Sequence, residues 1–232
     1  MNKGAIVVAY HGCDITVRDR LVSGALSELS PSENKYDWLG SGSYFFEGDP
    51  LRALRFAIAS RDNSAKLYTQ KPIVNAAVVG ALICASNWLD MTTQEGMDNY
   101  LAAYQSLEAS QASKRQPMPV NEQSDEQDVT VLLRKLDCAV FNILHILRAS
   151  QNLVPIQALK AAFYQGAKLV PTSEFQRDTH MQIALRDPGC VLGWFLTPGA
   201  ALLSESDLAI ADSEMAAAVT ARSSIKKRIR AA

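Results

Sequence analysis

The run KPIVNAAVVGALICAS, residues 71–86, constrains the fold more than any other stretch. It is nearly all apolar and rich in β-branched residues, with Asn75 the one polar side chain between Ile73 and Ala85. A strand that reads apolar on both faces sits in the middle of a sheet with cover on both sides. The spacing around it predicts a mixed chain. KGAIVVAYHG (residues 3–12) reads as a first strand that ends in His11-Gly12. ITVRDRLVSGAL follows as a helix stopped by Gly24. Ser43–Phe46 reads as a short aromatic strand. Asp49 and Pro50 then open a helix as N-cap and first-turn proline.

A further helix begins near Thr93, and VTVLLRKLDCAVFNILHILRAS (residues 129–150) reads as one long amphipathic helix. Between them, residues 109–128 are polar, carry two prolines and read as a mobile loop or insertion. THMQIALRD and CVLGWFL read as two late strands with Asp-Pro-Gly turning between them. The chain closes with one or two helices from about residue 204. Strands and helices mix without regular β-α-β alternation, so the expected class is α+β in a single domain spanning 1–232.

Composition narrows the function classes. With 48 % hydrophobic and 20 % charged residues the chain is globular, and a net charge of −1 gives it no bulk basic field for nucleic acid. The C-terminal RSSIKKRIR (residues 222–230) is the one local basic run, either a solvated tail or a phosphate-contacting patch. Four cysteines and three histidines are scattered without metal-ligand spacing, so no metal is expected. No signal peptide or membrane-crossing run is seen. Free thiols then point to a reducing cytoplasm.

Two stretches carry candidate chemistry. In THMQIALRD, period-2 alternation sets Thr179, Met181, Ile183 and Leu185 on one face and His180, Gln182 and Arg186 on the other, either a solvated face or one side of a site. In GSGSYFFEGD, glycines flank Tyr44 and Phe45, so these rings either stack a flat ligand or fill the core. Glu47 either faces the same pocket or serves the following helix start. His145 reads as a semi-buried structural histidine and Asp137 as an ion-pair or capping residue. Arg18, Arg20, Arg52 and Arg55 are either helix-surface charges or pyrophosphate contacts.

Taken together, YHG at the end of the first strand, YDWLGSGSYFFEGDPLRALRFA, VVGALICASNWLDM, LRKLDCAVFNIL and THMQIALRDPGCVLGWF resemble the ADP-ribosyltransferase superfamily. More narrowly they resemble a bacterial toxin-like branch of H-Y-E/Q type, over roughly residues 6–197. The 109–128 region and the C-terminal helical extension fall outside the resemblance. It implies a split β-sheet with an NAD-binding cleft and added helices. His11 would bond the nicotinamide-side ribose, the Gly12 backbone would hold the amide, and Tyr44, with Phe45 beside it, would stack on the nicotinamide ring. Gln182 falls where the family carries its catalytic glutamate, and His180 falls in the target-orienting place. His11, Tyr44, Glu47 and Gln182 are thus the candidate catalytic residues.

The implied reaction cleaves the ribose–nicotinamide bond through an oxocarbenium-like state, without a metal. A group that bonds the 2′-hydroxyl more strongly as positive charge develops favours the transition state over the substrate. An amide at 182 orients that hydroxyl but brings no full negative charge. Either another acid supplies it, Glu47 first and Glu174 second, or the acceptor is itself a good nucleophile. The resemblance implies transfer of ADP-ribose to a macromolecule, nucleic acid (RNA among the candidates) slightly ahead of protein. The setting would be a toxin or phage-defence effector, with an antitoxin or inhibitor as a partner and no membrane association. An NAD glycohydrolase and a degenerate NAD-binding module are the alternatives.

Overall fold

The computed structural model describes residues 4–63, 69, 71–124 and 130–230. These hold seven β-strands of mixed direction and five α-helices, an α+β fold. The chain forms two compact units. One comprises Met1–Val7, Ser30–Glu47 and Cys84–Cys190, and the other Val8–Leu29, Gly48–Ile83 and Val191–Ala232.

The first unit contains β2 (Ser43–Glu47), β4 (Trp88–Asp90), β5 (Ala158–Phe163) and β6 (His180–Leu185), in the order β4-β5-β6-β2. The β4–β5 pair is parallel, whereas β5–β6 and β6–β2 are antiparallel. Helices α3 (Gln94–Ser113) and α4 (Lys135–Ser150) pack on each other. The apolar stripe of α4, Val140, Phe141 and Leu144, meets Leu159, Ala161, Phe163 and Ala184 in one core cluster. The opposite face of the strands is sealed as well, since Phe45, Ala158 and Ile183 are fully buried.

Two sequence boundaries shift in this unit for local reasons. The first residues of the 109–128 region are the last turn of α3, because alanine, serine and glutamine continue a helix that only Arg115, at φ 54°, interrupts. Residues 125–128 of that region lie outside the described residues. The long helix expected from 129 starts only at Lys135: Val131 is left-handed at φ 54°. Asn121 Oδ1 then accepts from the Leu136 and Asp137 amides at the helix start.

The second unit contains β1 (Val7–Asp14), β3 (Ala76–Ile83) and β7 (Val191–Leu196), ordered β1-β3-β7. The apolar run at 71–86 therefore supplies the middle strand of its unit. Helix α1 (Ile15–Val22) lies on β3 and β7, and α2 (Pro50–Asp62) lies on β3. The expected caps form: Asp49 accepts from the Arg52 amide, and Gly24 adopts φ 79° just past α1.

Strand β1 does not stop at His11-Gly12 but runs on through Cys13 to Asp14, whose side chain caps α1. The two late strands are not a hairpin. Strand β6 pairs with β2 and β5 while β7 pairs with β3, and the Pro188–Cys190 turn is a 3-10 segment joining separate ladders. The chain ends in a single helix, α5 (Glu205–Arg230).

A buried polar network pins the loops of the second unit to α1. Asp19 and Arg18, 3 % and 7 % exposed, form an ion pair at 2.6 Å. Arg18 also donates to the Ala201 carbonyl, and Asp19 accepts from the Leu203 amide. Each buried charge thereby has a partner, which is the condition for burying it at acceptable cost.

Candidate functional site in the four-stranded unit

Register decides which candidate residues share a face. Cross-strand partners point to the same side of a sheet. Tyr44 lies opposite Ala184, Phe46 opposite Gln182, and Gln182 opposite Ala161 on the other flank. His180 lies opposite Phe163. Tyr44, Phe46, His180 and Gln182 therefore occupy one face. Phe45 and Glu47 occupy the other, one residue out of phase. The structure brings three of the candidate residues, Tyr44, His180 and Gln182, onto one face with Phe46 and turns Glu47 away from Gln182.

His180 is not on a solvated face. It is 7 % exposed and its ring sits 4.9 Å from Phe46, 6.0 Å from Phe163 and 6.3 Å from Trp38, nearly parallel to the last. Its Nδ1 is 2.7 Å from the Asp178 carbonyl. A carbonyl only accepts, so Nδ1 carries a proton. The Arg134 guanidinium lies over the Trp38 ring, 4.8 Å from its centroid, and bonds Asp137, which also accepts from Tyr100 and Asn121. Asp137 is thus an anchoring carboxylate at the start of α4.

Tyr44 is tied into the loop before its own strand. Its hydroxyl donates to the Gly40 carbonyl at 2.5 Å and accepts from the Leu39 amide at 3.0 Å. Burial holds its hydroxyl pKa well above the ordinary tyrosine value, reinforced by the Asp37 carboxylate. Arg186, on the same side, donates to the Ser41 carbonyl, and burial lowers its pKa. Phe45 is fully buried.

Gln182 differs from these neighbours. It is partly exposed, and its amide makes no hydrogen bond to any described residue. An amide with a donor and an acceptor to spare, on a floor of Phe46 and Ala161 beside His180, is equipped to take a polar group from a ligand. Beyond it, the β5–β6 connection carries Phe175, 77 % exposed, next to Glu174, which pairs with Lys168 at 2.7 Å.

His11 and Gly12 belong to the three-stranded unit. Alternation puts His11 on the side of Ala9 and Cys13, and Gly12 on the other. The glycine has a packing reason: a Cβ there would overlap the Ala53 carbonyl oxygen of α2. Helix and strand backbones meet at Gly12 as only glycine permits. Of the arginines, Arg18 is committed inside the α1 network and Arg20 pairs with Asp212. Side chains 224–230, which include most of the basic run, lie outside the described ones.

Sequence reading missed Phe46 and Phe163 as members of the His180 face, and Arg134 as the residue that backs Trp38. Counting alternate positions along SYFFE would have separated Glu47 from Tyr44. Nothing local marks Phe163, because its strand was not anticipated. Among the described residues no group of three or more His, Cys, Asp or Glu side chains is placed to hold a metal, and no helix is long and apolar enough to cross a membrane. No family model, curated protein or solved structure matches the chain.

Proposed function

We propose that the chain is an NAD-dependent mono-ADP-ribosyltransferase acting on a macromolecule, nucleic acid ahead of protein, as a toxin or phage-defence effector with an antitoxin or inhibitor partner. The observation that carries the reading is the uncommitted amide of Gln182 beside His180 and Phe46. The resemblance places the residue that works on the ribose at this position. A glutamine there offers both a donor and an acceptor to ribose hydroxyls. NAD supplies the ADP-ribosyl group and nicotinamide as leaving group. The chain's own task is to orient the ribose and the acceptor, and the Gln182 amide can also hydrogen-bond base edges. Tyr44 has its hydroxyl committed to Leu39 and Gly40, so what it offers a ligand is ring surface.

One observation favours a second reading, an NAD-binding module without turnover: Glu47 lies on the face away from Gln182, so it does not bring a carboxylate to that position. Gln182→Glu separates the two. If bond cleavage builds positive charge beside residue 182, a carboxylate there raises turnover about tenfold or more, each tenfold being about 1.4 kcal/mol of barrier. The assay is labelled NAD with the protein alone, and then with RNA, DNA or protein extract. Label on an acceptor supports transfer, and free ADP-ribose supports NAD hydrolysis. No product from wild type or Gln182→Glu, with NAD still bound, supports the module.

A further inference from the structure

Cys84 and Cys190 stand 106 positions apart in sequence, yet the fold sets them against each other. Ile83 and Val191 are register partners at the end of the β3–β7 ladder, and the next main-chain bond is Cys84 N–H to the Cys190 carbonyl at 2.8 Å. The Cys190 amide bonds the Asp187 carbonyl instead, so the pair shares one main-chain bond rather than two, and standard backbone dimensions then keep the two Cα atoms within about 6.7 Å of each other. That falls within the about 4.4–6.8 Å that a disulfide spans. Burial first, then Asp187 and last Cys84 raise the Cys190 pKa to about 11. The other two thiols, Cys13 and Cys138, are buried, with pKa values pushed up by burial to about 12 and about 11.

We propose that Cys84 and Cys190 are a thiol pair that closes to an intramolecular disulfide when a small disulfide such as oxidised glutathione is supplied. Cys84 is partly exposed and is the entry point. Its thiolate attacks one sulfur of oxidised glutathione, forming a mixed disulfide and releasing one glutathione thiolate. The deprotonated Cys190 then attacks Cys84 Sγ and expels the second glutathione. Two protein thiols and one glutathione disulfide become one protein disulfide and two glutathione thiols, so atoms and electrons balance. Cys190 is 4 % exposed and reluctant to ionise, so the second step is the slower one. Closure removes the bond that the Cys84 thiol donates to the Gly4 carbonyl at 3.2 Å and ties the end of one strand covalently to the start of another.

The test uses the whole folded chain, its thermal melt recorded first. The protein is incubated with oxidised glutathione, then denatured and alkylated, and its unreduced peptides are mapped by mass spectrometry. The expected result is a fall from four alkylated thiols to two, one linked peptide pair containing Cys84 and Cys190, and full reversal by dithiothreitol. Cys190→Ser should stop at a glutathione adduct on Cys84, and Cys84→Ser should lose the link. Four persisting thiols in wild type, a Cys84 adduct that never resolves, a link through Cys13 or Cys138, or a link between two chains would each overturn the proposal. None of these readouts depends on turnover of NAD.

Discussion

Replacing Asp14 tests a buried clamp of the second unit. The side chain is 2 % exposed and accepts four hydrogen bonds. Oδ1 takes the Thr16 amide at 3.0 Å and the Thr16 hydroxyl at 2.9 Å, and Oδ2 takes the Val74 and Asn75 amides, each at 2.8 Å. One carboxylate thus caps α1 and clamps the segment that leads into β3. Hydrogen bonds to a charged acceptor contribute about 1.5–3 kcal/mol each, and an N-cap about 0.5–2 kcal/mol. Four bonds on one group are not additive, and the Thr16 hydroxyl can turn elsewhere. Asp14→Ala is therefore expected to cost about 3–5 kcal/mol, out of a total of about 5–15 kcal/mol for a domain.

Asp14→Asn sharpens the test, since it keeps the volume but has one oxygen. Its NH2 must face either the Thr16 donors or the Val74 and Asn75 amides, so it should cost about 2–4 kcal/mol, most of the alanine effect. Thr16→Val, which removes only the hydroxyl bond, should cost about 1 kcal/mol. Urea unfolding by circular dichroism gives the three values, and amide exchange at Val74 and Asn75 reports the clamp directly. An asparagine variant within 1 kcal/mol of wild type, or fast exchange of both amides in the wild type, would refute the clamp.

Gly12→Ala should destabilise by about 2 kcal/mol or more through overlap with the Ala53 carbonyl, read as a lowered urea midpoint at unchanged slope. Tyr44→Phe removes two hydroxyl bonds but keeps the ring: stability should fall by about 1–2 kcal/mol, while any NAD turnover that depends on stacking persists in the folded variant. His145 supplies a pH test: burial, with Arg186 and Arg148 adding, lowers its pKa to about 3. The unfolded chain takes up this proton near pH 6.5 and the folded chain does not, so the stabilisation is whole above that pH and declines as pH falls toward 3. From pH 7 to 5.5 the wild type should lose about 1.2 kcal/mol more than His145→Gln, and equal losses in urea titrations would contradict the assignment.

Elements whose signals are local were legible in the chain itself. The run through Val78 and Val79 is a middle strand because nothing in it tolerates water. Helix α2 starts where Asp49 and Pro50 satisfy or remove its first amide donors, and α1 stops at a glycine able to take φ 79°. The α+β class followed from the order of such segments. The alternation that groups His180 with Gln182 also held, because it is a property of one strand.

What the sequence left open depended on partners distant in the chain. The short strand at Trp88–Asp90 and the alanine-rich one at 158–163 acquire strand structure by pairing with each other and with β6. The end of β1 moved from Gly12 to Asp14 because the donors for that carboxylate include the amides of residues 74 and 75. Register set Glu47 opposite in phase to Gln182. Burial turned His180 from a candidate surface residue into a ring packed among Trp38, Phe46 and Phe163. The pairing of Cys84 with Cys190 is equally a product of the ladder end, since spacing along a chain says nothing about which residues a sheet sets opposite each other. Sequence thus determined the elements, whose free energy is local. Tertiary structure decided faces, register and burial, because those depend on contacts between residues tens of positions apart.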